Sequence, residues 1–362
     1  MTKRNATLRP VYWDERKKCL RILDQRKLPF VEEWLEITEL SQLEDAIKTL
    51  AVRGAPLLGI AAGYGVYIGM RDFEGDNSSF RKRLNEVIFR IGATRPTAVN
   101  LFAALRRAQE TACNEVNTKT SDILEQLLNL GHRLISEEEE RSFAIARNGA
   151  DLLEPNIRVL THCNTGALAM GGVGTALGVI HEAHRRGYIK EVFVDETRPL
   201  LQGSRLTAWE LQRWNIPFRI ITDAAAAYAM SLKMIDVVIV GADRVVRNGD
   251  IANKIGTYSL AVSANALQVP FIVAAPTSTF DLSILEGVGI PIESRDANEV
   301  LSLHGNQIAP QNANVFNPAF DITPAELITA IVTERGIIKN PDKYNIADHI
   351  SRTHSFDDAA VL

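Results

Sequence analysis

Cysteine is scarce in this sequence. Cys19, Cys113 and Cys163 are an odd number set far apart, which makes neither a disulfide framework nor a C-x-x-C metal motif and fits a reducing compartment. Long apolar runs are missing too. The most apolar stretches, residues 57–70 and 224–230, are too rich in glycine or too short for the roughly 20 apolar residues of a membrane span. Residues 1–10 are polar and basic and lead toward the charged run 14–18 without an apolar segment of signal-peptide length, so a cytoplasmic protein without a membrane partner is expected. There is no excess of positive charge. The 40 Lys and Arg against 44 Asp and Glu leave a formal charge of −4, and nucleic acid is not an expected partner. Metal-binding patterns are absent as well. His181 and His184 stand three apart beside Arg185 and Arg186, a spacing that reads as a wet helix surface, and no H-E-x-x-H or Cys/His cluster occurs, so no metal is expected.

What is present is enough apolar material for two cores: 362 residues, 46% hydrophobic, favour two domains. From residue 157 onward, apolar runs rich in Val, Ile or Phe recur at 157–163, 191–196, 218–223, 236–245 and 271–276. Segments of helical character, such as 205–214, 224–235 and 254–267, separate them. Strands alternating with helices, each strand apolar on both faces, predict an α/β fold with a parallel β-sheet. Before residue 150 helical stretches dominate, at 40–51, 56–70, 81–90, 98–114 and 121–134, preceded by a strand pair at 8–13 and 19–23. The boundary is expected near residues 140–148, giving a mostly helical N-terminal domain over 1–140 and the α/β domain over 141–362. The acidic run 137–140 is expected to be a solvated helix face.

An open parallel sheet binds its ligand beyond the carboxyl ends of its strands. Here those ends carry Thr161-His162-Cys163-Asn164-Thr165-Gly166, Asp195-Glu196-Thr197-Arg198, Thr222-Asp223, Gly241-Ala242-Asp243-Arg244 and Pro276-Thr277-Ser278-Thr279. Each alone is an ordinary turn or cap; together they point to a site. Cys163 is open to two readings, a small buried hydrophobe or a thiol tuned by its place between a strand end and a helical stretch. Asp243 likewise reads as a structural cap, as a partner of Arg244, or as a buried acid able to carry a proton. Gly172, Gly174 and Gly178 come too late after their strand for a dinucleotide fingerprint and fit close helix packing. Arg53-Gly54-Ala55-Pro56 opens a helix with proline in its first turn, a natural seat for phosphate, and Arg95-Pro96-Thr97 repeats the idea. Asn253-Lys254 is expected to open a further helix, with side chains suited to phosphate or sugar hydroxyls.

These motifs resemble a known family, the methylthioribose-1-phosphate isomerases, which share a fold with regulatory subunits of eukaryotic initiation factor 2B. The resemblance runs from Leu20 to about Ile338 and rests on Val52-Arg53-Gly54-Ala55-Pro56, Arg95-Pro96-Thr97, Thr161-His162-Cys163-Asn164-Thr165-Gly166, Leu201-Gln202-Gly203, Val240-Gly241-Ala242-Asp243-Arg244, Ala252-Asn253-Lys254 and Asn317-Pro318-Ala319-Phe320-Asp321. Ser204, where alanine is usual, and Leu57-Leu58 depart from the pattern. The resemblance implies a Rossmann-like C-terminal domain, a homodimer, a sugar-phosphate substrate and no cofactor. It implies Cys163 and Asp243 as the catalytic pair, and Arg53, Gly54, Ala55, Arg95, Gln202, Asn253 and Lys254 as substrate contacts, with His162 and Thr165 behind them. Two alternatives stay open at this point: a ribose 1,5-bisphosphate isomerase of the same fold, and a noncatalytic regulatory subunit.

Overall fold

The computed structural model describes residues 8–96, 98–113 and 119–351. The chain packs as two compact units, Met1–Ser142 with Ala167–Val173, and Phe143–Gly166 with Gly174–Leu362.

In the first unit, strands β1 (Val11–Asp14), β2 (Cys19–Leu23) and β3 (Trp34–Ile37) form an antiparallel meander, with Val11 opposite Ile22 and Leu20 opposite Ile37. Helices α1 (Leu40–Lys48), α2 (Ala55–Met70), α3 (Asn77–Gly92), α4 (Val99–Cys113) and the start of α5 (Thr120–Ala150) follow. Because α2 is apolar on every side, it becomes the central, buried helix of the unit. Its glycines set how closely neighbours approach: a Cβ on Gly59 would lie 3.0 Å from the Asn100 carbonyl oxygen of α4, and one on Gly63 would lie 2.4 Å from Leu134 of α5. Thr97 and Asn114 lie outside the described residues.

The acidic run proves not to be a solvated face. Within α5, Glu137 takes a bidentate pair from Arg107 at 2.7 Å, Glu138 pairs with Arg141 at 2.6 Å, and Glu139 pairs with Arg9 at 2.6 Å. The helix itself continues to Ala150, past the end of the expected stretch and through the expected boundary region.

The second unit holds β4 (Ile157–Thr161), α7 (Ala176–Arg185), β5 (Ile189–Asp195), α8 (Ala208–Arg213), β6 (Phe218–Ile221), α9 (Ala225–Ser231), β7 (Val237–Val240), β8 (Arg244–Val246), β9 (Ile251–Lys254), α10 (Thr257–Ala266) and β10 (Phe271–Ala274). The short helix α6 (Ala167–Met170) belongs to the first unit. After β10 come β11 (Phe280–Asp281), α11 (Asn298–Leu301), the hairpin β12 (Ser302–Leu303) and β13 (Asn306–Gln307), then β14 (Phe320–Thr323), β15 (Ala330–Thr333), β16 (Gly336–Lys339) and α12 (Lys343–Ser351). The main sheet runs β16-β15-β10-β7-β4-β5-β6, parallel except for its antiparallel edge β16. Strands β7 and β10 are buried at every residue, as their unbroken apolar runs require. A second sheet, β11-β8-β9-β14, lies at the carboxyl side of β7 in sequence.

Three expectations change. The run 236–245 is two strands, because the chain leaves the main sheet after Val240 and starts the second one at Arg244. Asn253 and Lys254 do not open a helix; they end β9, paired with Asp321 and Phe320 of β14, and α10 begins only at Thr257. His181 is not on a wet surface, since its ring packs against Trp214 at a centroid distance of 4.5 Å. Among the described residues no helix is long and apolar enough to cross a membrane.

A close glycine contact between two long helices gives a stability test. A Cβ on Gly131 would meet the Tyr64 ring at 2.4 Å. That ring is fully buried, stacks on Trp13 and hydrogen-bonds His132 Nδ1 at 3.0 Å, so it has little freedom to move aside. Overpacking costs about 1–3 kcal/mol, more than the few tenths that valine gains over glycine in a helix. Gly131→Val is expected to melt several degrees lower by circular dichroism; an unchanged melting temperature would show that the ring moves freely.

Candidate active site

Sheet order decides where a ligand can sit. The chain builds outward from β4 to β5 to β6, then returns to place β7 on the other side of β4. The topological switch point therefore lies between the carboxyl ends of β4 and β7, where an open α/β sheet leaves a crevice. Cys163 follows β4, and Asp243 follows β7. Their turns touch, for a Cβ on Gly241 would lie 2.5 Å from Thr165 Cγ2. Cys163 is buried; Asp243 is half-buried, and its backbone N–H donates to the Ala252 carbonyl at 2.9 Å. Arg244 reaches Asp281 of β11 at 3.4 Å.

The backbone of Cys163 is left-handed, with φ 62°, as is that of Thr197, with φ 64°. Next to Cys163, the fully buried His162 spans two elements. Its Nε2 faces the Ile255 carbonyl at 2.9 Å and its Nδ1 faces Asp195 Oδ2 at 2.9 Å. A carbonyl can only accept, so Nε2 carries a hydrogen, and a second proton is shared between Nδ1 and the carboxyl. Gly256, at φ 108°, permits this approach: a Cβ there would be 2.8 Å from the imidazole. The amide ends of α10 are already occupied, because Asp321 accepts from the N–H groups of Gly256 at 2.7 Å and Tyr258 at 3.1 Å.

His162, Asp195 and Asp223 bring possible metal-ligand atoms within 4.8 Å of one another. Each is engaged otherwise: Asp223 accepts from the backbone N–H of Thr197 and of Arg198 at 2.7 Å, and His162 uses both ring nitrogens. Asp195 Oδ1 remains buried without a hydrogen-bond partner.

A small cleft brings Gln202 and Lys254 together with Arg295, Glu299 and Asn317. Lys254 Nζ donates to the Ala319 carbonyl at 2.9 Å and lies 4.6 Å from the Phe320 ring centre, which holds the ammonium in place. Gln202 Oε1 is buried and unpartnered, an acceptor with capacity for a donor. Asn253 is buried and donates to Thr257 Oγ1 at 2.9 Å. The strand-end residues Pro276–Thr279 instead turn toward β15, where Thr277 N donates to Glu334 at 2.9 Å.

The other expected contacts lie in the first unit. Gly54 is the N-cap of α2 at φ 98°, and a Cβ on it would sit 2.2 Å from the Ala169 carbonyl oxygen. Ala55 starts the helix. Arg53 Nε donates to Gln25 Oε1 at 3.1 Å, and Gln25 Nε2 donates to the Leu168 carbonyl at 2.7 Å. Arg95 precedes α4, its carbonyl accepting from Ala98 N at 3.1 Å. Thr197, Thr207, Asp223 and Asp321 also belong to the site region; Thr197 and Asp223 stood among the strand-end residues and Asp321 within a motif, but none had an individual role assigned from sequence, and Thr207 carried no signal.

The sequence pattern of the initiation factor 2 subunit family matches residues 51–340. The chain belongs to this family. Among its relatives, a methylthioribose-1-phosphate isomerase of Heliobacterium modesticaldum is 50% identical over 324 residues, which cover 89% of this chain and 94% of that one. The crystal structure of 5-methylthioribose 1-phosphate isomerase from Pyrococcus horikoshii OT3 aligns at a TM-score of 0.89 and 37% identity, over 96% of this chain and 98% of that chain. The crystal structure of translation initiation factor eIF-2B, subunit delta, from A. fulgidus aligns at 0.85 and 42% identity, over 96% and 100%. This chain is thus similar both to proteins named as enzymes and to a protein named as a translation factor, and the α/β architecture is common to the two structures.

In this family member the buried pair beside Cys163 makes stability depend on pH. Burial pushes Asp195 up to about 6 from its ordinary 3.8, against the pull of the neighbouring imidazole. Burial also disfavours the His162 imidazolium, but the hydrogen bond and charge of Asp195 outweigh it and the imidazole pKa is raised. A raised pKa means that folding takes up a proton, so the stabilisation is complete below the unfolded value and is lost as pH rises through the folded one. For Asp195 the window runs from 3.8 to about 6. Asp195→Asn mimics the protonated acid and removes that titration. The stability advantage of the wild-type chain over this variant is expected to shrink by roughly 1–3 kcal/mol between about pH 4 and about pH 8, read from urea midpoints at each pH. An advantage that grows with pH would reverse the sign.

Proposed function

We propose that this protein isomerises 5-methylthioribose 1-phosphate to 5-methylthioribulose 1-phosphate, an aldose–ketose isomerisation within methionine salvage. The near-full-length match to isomerases of that name carries the reading. Cys163 and Asp243 at the switch point support it, because the reaction needs two proton-handling groups in one crevice.

The substrate constrains the mechanism. With phosphate on its anomeric oxygen, the sugar cannot open spontaneously to a free aldehyde, so the bond between C1 and the ring oxygen must break with phosphate retained. The ring oxygen gains a proton, the C2 hydroxyl loses one as the ketone forms, and the hydrogen on C2 ends on C1. In our reading Asp243 gives a proton to the ring oxygen and takes one from the C2 oxygen, while Cys163 removes the C2 proton and returns it to C1 through an enolate-like intermediate. A direct hydride shift from C2 to C1 balances equally and would leave Asp243 with the same task. In the same reading Arg53, Gly54, Ala55, Arg95, Gln202, Asn253 and Lys254 are the substrate contacts. The protein acts without cofactor, as a cytoplasmic homodimer. The name of the A. fulgidus neighbour favours a second reading, a regulatory subunit of a translation factor. A regulatory subunit has no need to keep both Cys163 and Asp243.

Purified protein, with chelator and no added cofactor, is to be mixed separately with methylthioribose 1-phosphate and with ribose 1,5-bisphosphate, and ketose formation followed by NMR. Turnover of the first alone is expected. Cys163→Ser and Asp243→Asn should each lower kcat by about 10²–10⁴-fold while substrate binding persists. Turnover of the bisphosphate alone would reassign the substrate, and inactivity on both would return the chain to the regulatory reading.

A further inference from the structure

Cys163 sits where a side chain other than glycine is rarely placed. A left-handed backbone strains an ordinary L-residue, and such strain persists only when the surroundings fix it. Here both backbone polar groups of Cys163 are held by threonine hydroxyls. Its N–H donates to Thr197 Oγ1 at 2.8 Å, and its carbonyl accepts from Thr207 Oγ1 at 2.6 Å.

The proton direction in each hydroxyl is fixed by a further partner. Thr197 Oγ1 donates to the Asp195 carbonyl at 3.1 Å, which leaves a lone pair for Cys163 N. Thr207 Oγ1 spends its hydrogen on Cys163 and accepts from Asn164 Nδ2 at 3.2 Å. Asn164 is held in turn by Glu210 at 2.8 Å. Both threonines are buried, at 0% and 1% exposure, so neither hydroxyl exchanges its partner for water. Thr197 has its own anchor: Asp223 receives the N–H groups of Thr197 and Arg198, one on each oxygen, and so pins a second left-handed residue. Gly203 closes the arrangement, since a Cβ there would lie 3.0 Å from Thr197 Oγ1 and 1.7 Å from the Asp195 carbonyl oxygen. Thr207 ends the π turn Gly203–Thr207 that this glycine begins.

We propose that Thr197 and Thr207, with Asp223 behind Thr197, are positioning residues that hold Cys163 in its left-handed conformation and so aim its thiol at the substrate. The inference rests on Cys163 being the group that handles the C2 proton. Its chemistry is geometric. A thiol displaced by about 1 Å from its line of attack loses on the order of 100-fold in rate, while substrate held by other residues binds as before.

Valine matches threonine in shape and lacks the hydroxyl; serine keeps the hydroxyl and loses the methyl. Thr197→Val and Thr207→Val are each expected to lower kcat on methylthioribose 1-phosphate by about 10- to 100-fold with KM little changed. The rate at which iodoacetamide alkylates Cys163, followed by peptide mass spectrometry, should change alongside. Thr197→Ser and Thr207→Ser should recover most of the lost kcat. Folded valine variants with wild-type kcat and wild-type alkylation would overturn the proposal, as would serine variants no better than valine. If a valine variant does not fold, Asp223→Asn takes its place, because it removes one of the two acceptors that pin Thr197 and Arg198; a lowered kcat at constant KM supports the proposal and an unchanged kcat overturns it. Cys163→Ser distinguishes this failure from a deeper one. If that variant is inactive while the threonine variants are normal, only the positioning role fails; if it is active, the reading of Cys163 fails first.

Discussion

A cysteine at φ 62° is a strained residue, and the surrounding structure is organised around keeping it there. Strand β4 delivers it to the sheet edge, β5 supplies the Thr197 loop, and the π turn after Gly203 supplies Thr207. None of these is a local preference of the cysteine itself. The conformation is over-determined by parts of the chain that meet only after the sheet has formed, so the geometry of the thiol depends on correct strand order.

The pair of His162 and Asp195 adds an electrostatic side to the same arrangement. Together they hold a shared proton in a fully buried place, so the pair is neutral overall whichever atom carries it. A net charge there would act on the neighbouring thiol through a low effective dielectric, with little water to screen it. The imidazole also ties the β4 end to the turn before α10, and it requires glycine at 256 to do so. Asp321 then takes the free amides of α10, so that the helix end is neutralised by the chain's own carboxylate.

Strands β4, β5, β6, β7 and β10 were legible as runs rich in Val, Ile and Phe, although only β7 and β10 are covered at every residue, and edge strand β6 carries the exposed Arg219. The mostly helical first part of the chain was legible for the same kind of reason. Strand β3, with Trp34–Ile37, was not, since four residues give no readable period. The sequence also misplaced Asn253 and Lys254: a polar pair after a turn reads as a helix start, whereas their register is set by Phe320 and Asp321, far downstream. The acidic run 137–140 read as solvated because the arginines that pair with Glu137 and Glu139, Arg107 and Arg9, lie far off in sequence. The strand ends bearing Cys163 and Asp243 could be found from the order of runs alone. The hydroxyls that hold Cys163 could not, because a threonine's hydrogen-bond partner leaves no periodic trace in its own neighbourhood.

The residues directly after Cys163 carry a consequence for how such a chain can change over evolution. The chain runs with the second unit as far as Gly166, contributes Ala167–Val173 to the packing of the first, and returns at Gly174. Ala169 lies against Gly54, the N-cap of the central helix α2. Neither unit is therefore a cassette that recombination could exchange intact: a crossover placed in α5 would transplant a cysteine loop together with a segment fitted to a different helical partner.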